Sequence, residues 1–179
     1  MIDIENLKQF QAEGPGRWTA FDEFDKLPAT YKDQITFLDK QATEFLYDYV
    51  KAAKLIASND DPFSKGNFKI VEKYTAMADE SGLKKWLYNR GIPFKDEVFL
   101  YGRDCIVTTW KIVVKYAPSL FFSEDTVVFD KTLNWCLFYF HHDHLFFGKD
   151  NIYDPSNDLI KMEEINRLKK LYPTMKFPY

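Results

Sequence analysis

Leu133 to Phe140 reads Leu-Asn-Trp-Cys-Leu-Phe-Tyr-Phe and is apolar at nearly every position. A strand with one wet face alternates apolar and polar residues. A run without alternation demands cover on both faces, which places it centrally in a sheet with something packed above and below. A buried helix is the competing solution. The length of the run and its aromatic content favour a strand. Upstream, Val127-Val-Phe129 is also β-prone, and Asp130-Lys-Thr132 breaks the run as a turn. Downstream come His141-His-Asp-His144 and then Leu145-Phe-Phe-Gly148. The pattern predicts a β-hairpin with the histidines at its tip. No Asn-Gly or Asp-Gly pair marks a two-residue turn, so a longer loop is expected.

The tip holds all three histidines of the chain. Imidazole ligates metals and titrates near neutral pH. On an extended strand His142 and His144 would share a face across Asp143. With one carboxylate and a further ligand from elsewhere, such a pair could hold zinc or iron. The sequence has no second cluster with ligand spacing, no His-Glu-x-x-His and no paired cysteines. The reading favoured for the tip is a polar hairpin end in water, with Asp143 as a turn residue, and no metal or other cofactor is expected.

The first ninety residues read differently. Ile4, Leu7 and Phe10 predict a short amphipathic helix that Gly14-Pro-Gly16 stops. Trp18, Phe21 and Phe24 among acids suggest another short helix. Tyr31, Ile35, Leu38, Ala42, Phe45, Tyr49 and Ala52 or Ala53 recur at three and four, which predicts one long helix opened by Thr30 and Asp33 as a capping box. Glu44 and Asp48 sit at i,i+4 on it, a like-charged pair that a nearby cation would relieve. Phe68, Val71, Tyr74 and Met77 predict a further helix over 67–78. Leu83, Trp86 and Leu87 predict one more, ended by Gly91 and Pro93.

Beyond Asp96 the character turns to strands: Val98–Tyr101, a turn at Gly102-Arg-Asp104, and Cys105–Val107. Residues 108–117 are ambiguous: their β-branched residues favour a strand, whereas Trp110, Val113 or Val114, and Ala117 have helical spacing, and the preferred reading is a helix capped by Thr108 or Thr109 and stopped before Pro118. Asp150 to Lys161 has spaced oxygen ligands, but Pro155 and Lys161 occupy the positions where a calcium loop needs Gly and Glu. Ser156, Asn157 or Asp158 instead caps a last helix with the stripe Leu159, Met162, Ile165, Leu168 and Leu171. Acids lie early and bases late along it.

The expectation is therefore one α+β domain over 1–179. A helical N-terminal half, about 1–92, packs on a small, mostly antiparallel sheet from the C-terminal half, about 96–148, and a C-terminal helix follows at about 157–171. Aromatics make up 18% of the chain, which supplies a Phe-rich core. A net charge of −3, with both signs interspersed, argues against a nucleic-acid binder and suits a basic partner. Cys105 and Cys136 stand alone in apolar surroundings, as reduced core thiols do. The N-terminus has no basic stretch followed by an apolar run, and no stretch is long enough to span a membrane, so a cytoplasmic protein is expected. No nucleophile elbow, Cys-His pair, phosphate loop or dinucleotide fingerprint is present.

The succession Val98-Phe-Leu-Tyr101, Ile106-Val-Thr-Thr-Trp-Lys111, Val127-Val-Phe-Asp130, Asn134-Trp135 and Leu145-Phe-Phe-Gly148 resembles a layout of small bacterial proteins. These are the immunity proteins of polymorphic-toxin and contact-dependent inhibition systems, with related uncharacterised domains. The likeness covers the C-terminal third to half of the chain. It implies a cytoplasmic, non-enzymatic protein that binds a cognate toxin and covers its active site. Such families share architecture without sharing contact residues, so it transfers no site. From the residues themselves, the partner-binding candidates are Asp60 and Asp61 on one expected loop, and His142, Asp143 and His144 at the hairpin tip. A metal-dependent enzyme built on His142 and His144 is the alternative, and a structural or regulatory domain the third.

Overall fold

The computed structural model describes residues 1–15, 24–58, 61–63, 66–122, 124–154, 156 and 158–173. Trp18, Phe21 and Asp60 lie outside the described residues, as does the tail from 174. The centre of the fold is a seven-stranded, wholly antiparallel sheet. Its strands are β1 (Thr36–Phe37), β2 (Phe68–Tyr74), β3 (Glu97–Tyr101), β4 (Ile106–Thr109), β5 (Thr126–Phe129), β6 (Trp135–Phe140) and β7 (His144–Asn151). They lie in the order β1-β4-β3-β5-β6-β7-β2.

Strand β6 is buried at all six positions. Its alternate side chains serve two separate cores. Cys136, Phe138 and Phe140 point to one core, with Phe99, Val107, Val127, Phe129 and Phe146 of neighbouring strands. Trp135, Leu137 and Tyr139 point to the other, with Leu100, Ile106, Val128, Leu145 and Phe147. Helices α2 (Lys40–Ala53) and α6 (Leu159–Leu171) cover the first face, through Phe45, Tyr49, Ile165 and Leu168. Helices α3 (Glu80–Tyr88), α4 (Trp110–Lys115) and α5 (Ala117–Leu120) cover the second, through Leu83, Leu87, Trp110, Val113 and Leu120. This double cover is what the unbroken apolar run requires.

The expected hairpin is present. Phe140 pairs with His144, and His141–Asp143 form a three-residue loop. Asp143 is left-handed at φ 62°, the last position of the usual three-residue loop. Upstream, Asp130 makes the expected turn: its Oδ1 accepts from the Thr132 N–H at 2.9 Å, and its Oδ2 from Trp135 Nε1 at 2.8 Å.

The expected all-helical N-terminal half is corrected. Residues 4–12 hold only a 3-10 turn, Leu7–Gln9. The long helix from Thr30 is three elements. A single turn, α1 (Ala29–Lys32), is followed by β1 and then by α2. Thr30 makes no capping box; Asp39 starts α2 instead, its Oδ1 accepting from the Ala42 N–H at 2.8 Å. The tertiary bonds explain the break. The Leu38 N–H donates to the Cys105 carbonyl, and the Thr108 and Thr109 hydroxyls donate to Gln34. These contacts override a helical spacing that is a weak prior by itself.

The helix expected over 67–78 is strand β2, which pairs with β7 along the sheet's edge. Phe68, Ile70, Val71 and Tyr74 are good strand formers. The three-residue spacing carried no burial information, because five of the seven residues of β2 are exposed. Both edges of the sheet thus come from the half of the chain expected to be helical.

Other elements match closely. Helix α3 is capped by Asp79, and Gly91 beyond its end takes φ 72°. Helix α4 starts after Thr109 and ends at Lys115, and Pro118 then falls in the first turn of α5, where its missing N–H costs nothing. Helix α6 is capped by Asp158. Two residues of its expected stripe, Leu159 and Leu171, face water at 78% and 58% exposure.

Candidate functional site

Strand β3 ends at Tyr101, a half-buried residue that borders three neighbouring depressions. The first, about 320 Å³, is lined by Phe37, Leu38, Thr43 and the Tyr101–Cys105 turn, among others. The second, about 420 Å³, lies over the first turns of α2, with Glu44, Tyr47, Asp48 and Tyr172. The third, about 490 Å³, runs from Gly102 to Glu124, Asp125 and His141 beside the hairpin tip. Tyr47 packs on Tyr101 with ring centroids 5.9 Å apart.

This end of the sheet is acidic and aromatic. Asp39 begins α2 so that Glu44, Tyr47 and Asp48 fall on the face that looks along β3. Glu44 has Lys40 Nζ at 3.9 Å, and Glu124 has Arg103 at 3.8 Å. Asp125 holds His141 twice, accepting from its backbone N–H at 3.0 Å and meeting its Nδ1 at 2.7 Å. Burial pushes the Tyr101 and Tyr172 phenols above their ordinary range; the neighbouring Cys105 adds to the first, and Asp48 and Glu44 add to the second. These tyrosines stay neutral donors at physiological pH.

Cys105 is half-buried at the edge of the first depression. Burial raises its thiol pKa, a rise that contacts with Gly102 and Thr43 oppose. A thiol kept protonated is a weak nucleophile. Cys136 is fully buried and is raised by the same cause. Both cysteines are free thiols.

The residues singled out in the sequence fall at two ends of the molecule. His142 and Asp143 are exposed in the hairpin loop, and His144 is half-buried at the start of β7. His142 packs edge-on against Phe140, with centroids 4.8 Å apart, and lies 4.3 Å from the His141 ring. His144 meets Phe146. Asp143 accepts from the Tyr139 hydroxyl at 3.1 Å, and Tyr139 is pushed up to about 12 by burial and by that bond. Asp61 is exposed in the loop after α2, where its backbone bonds with Ser58. That loop leads to Asn67, whose carbonyl accepts from Ile152 at the far end of β7. Eight residues of β7 separate the two places, roughly 25 Å at about 3.3 Å per residue. Asp61 and the hairpin tip therefore do not form one surface.

Among the described residues, no three or more His, Cys, Asp or Glu side chains gather to hold a metal ion. Tyr101, Tyr47, Glu124 and Asp125 were not singled out in the sequence. The rim is assembled from separate stretches at 43–48, 101–105, 124–125, 141 and 172, and no spacing within one stretch announces it. The signals were partial: the like-charged pair Glu44 and Asp48, and His141 in the histidine cluster of the hairpin tip. Also among the described residues, no helix is long and apolar enough to cross a membrane. No family model, curated protein or solved structure matches this chain.

Proposed function

We propose that this chain is a non-enzymatic binding protein of the immunity type, which docks a basic protein domain on the rim around Tyr101. One observation carries the reading: three depressions meet at one tyrosine, rimmed by Glu44, Asp48, Glu124 and Asp125. The cations beside them, Lys40 and Arg103, already stand next to glutamates. Tyrosine and carboxylate together suit a lysine- and arginine-rich protein surface: the rings contribute buried area and the carboxylates charge-assisted hydrogen bonds. The hairpin tip borders this rim through His141, and in this reading His142, Asp143 and His144 extend the contact beyond it. Asp61 belongs to a separate loop and takes no part in this contact.

The test is affinity capture of the tagged protein from its native cells, then titration of the captured partner against variants. Glu44→Lys, Asp48→Lys and Glu124→Lys combined weaken binding by at least about tenfold, and affinity falls with added salt. Asp61→Lys leaves it unchanged. An acidic partner, or a partner insensitive to the triple variant, sinks the proposal. The immunity reading in addition requires that co-expression protects cells from that partner.

A further inference from the structure

The two edges of the sheet are unlike. Strand β1 is two residues long, and Gln11 bridges to Leu38 just beyond it. Strand β2 is seven residues long and, among the described residues, pairs only with β7. It has no proline, the residue that most firmly blocks strand addition. Ile70 and Val71, both β-branched, stand 44% and 50% exposed. An edge of this length, with apolar side chains in water, is a template for one more strand.

Its charges decide which strand. Val71 pairs with Gly148 and Lys73 with Phe146, whose ring lies 5.0 Å from the ammonium, so these two stand on the face of the first core; Lys69, two residues before Val71, is the strand's other exposed lysine. Among the described residues, neither lysine is ion-paired. Glu72, between them, is already held by the buried Arg90 at 2.5 Å. The edge therefore presents two unneutralised cations flanking one exposed valine.

A second copy of this chain fits poorly. Two antiparallel edge strands related by a two-fold axis normal to the sheet keep each face on its own side. In the register that overlaps all of β2, Val71 meets itself and Lys69 faces the other copy's Lys73, twice. Like charges directly opposite are destabilising.

We propose that β2 receives an extended acidic segment of another protein as an eighth strand, with the pattern acid-x-apolar-x-acid. Its two carboxylates face Lys69 and Lys73, and its apolar residue covers Val71. Backbone bonds to the open edge supply affinity and the two charge pairs supply selectivity. This surface is independent of the Tyr101 rim and asks for a partner of opposite charge.

The experiment uses the full chain and two labelled nine-residue peptides, Thr-Val-Glu-Thr-Val-Thr-Glu-Val-Thr and its counterpart with both Glu replaced by Lys. Fluorescence polarisation is expected to show the acidic peptide binding about tenfold more tightly. The double variant Lys69→Glu/Lys73→Glu reverses the order. Both lysines are exposed, so the variant keeps the fold, and a far-UV spectrum checks that it does. Amide shifts on adding the acidic peptide cluster on 68–74. Equal binding of the two peptides, binding of neither, or shifts centred away from β2 would each overturn the proposal. So would a concentration-dependent dimer that Val71→Lys abolishes, since the edge would then belong to a second copy.

Discussion

Gly148 shows how one missing carbon sets the edge of the sheet. A Cβ there would lie 2.5 Å from Cδ2 and 2.6 Å from Cγ of Phe68. Those atoms belong to a ring that is itself packed edge-on against Phe63, at 5.0 Å between centroids, and buried to 4% exposure. The ring cannot swing aside without opening that contact. Gly148→Ala is expected to cost about 1–3 kcal/mol, the usual toll of overpacking, and chemical denaturation reads it directly. A variant as stable as the parent would mean that β2 shifts freely along β7. In the sequence this glycine looked like the end of an apolar run. Its purpose was invisible because Phe68, eighty residues earlier, had been assigned to a helix.

Elements with a buried face were readable and those without one were not. Strand β6 announced itself because two cores claim every one of its side chains. Helix α6 announced itself through Asp158, Met162, Ile165 and Leu168. Strand β2 did not, since exposure at most positions erases any period, and Phe68, Val71 and Tyr74 imitated a helical one. Strand β1 is too short to carry a pattern. The Tyr101 rim stayed hidden for a related reason: its members come from separate elements and meet only after folding. Helix α6 also offers a test by pH. The Asp158 carboxylate accepts from the Lys161 N–H at 3.0 Å and pairs with Lys54 Nζ, and chiefly the Lys54 bond holds its pKa below the ordinary 3.8. A carboxyl lowered in the folded state stabilises it above that ordinary value, and the gain is lost as pH falls through the folded one. Amide exchange in α6, corrected for intrinsic rates, should therefore quicken between pH 6 and pH 3 more than exchange in β6. In Asp158→Asn, which still caps, the extra acid sensitivity of α6 should vanish; if it persists, the pair is not its source.

The molecule as a whole is an open sheet whose two edge strands both come from the first half of the chain. The expected division into a helical half and a strand half placed the layers roughly right: α2 and α3 do lie against the sheet, on opposite faces. It missed that β1 and β2 complete the sheet's two flanks. A fragment of residues 1–92 would thus hold two strands with no partner, since β1 pairs with β4 and β2 with β7. The expectation is a disordered fragment, with narrow amide dispersion by NMR, which gains structure on adding residues 93–179. A fragment with native-like dispersion by itself would show that the helices suffice.

That arrangement bears on how the protein is made. The first half of the chain leaves the ribosome well before the strands that will receive it: β2 ends at Tyr74, and its partner β7 does not begin until His144. Phe45, Tyr49 and Phe68, all buried in the folded protein, must wait in the open until then. Apolar side chains held open in this way are what chaperones bind, and a stop codon before His144 would release a product without β7, which cannot assemble its outer flank.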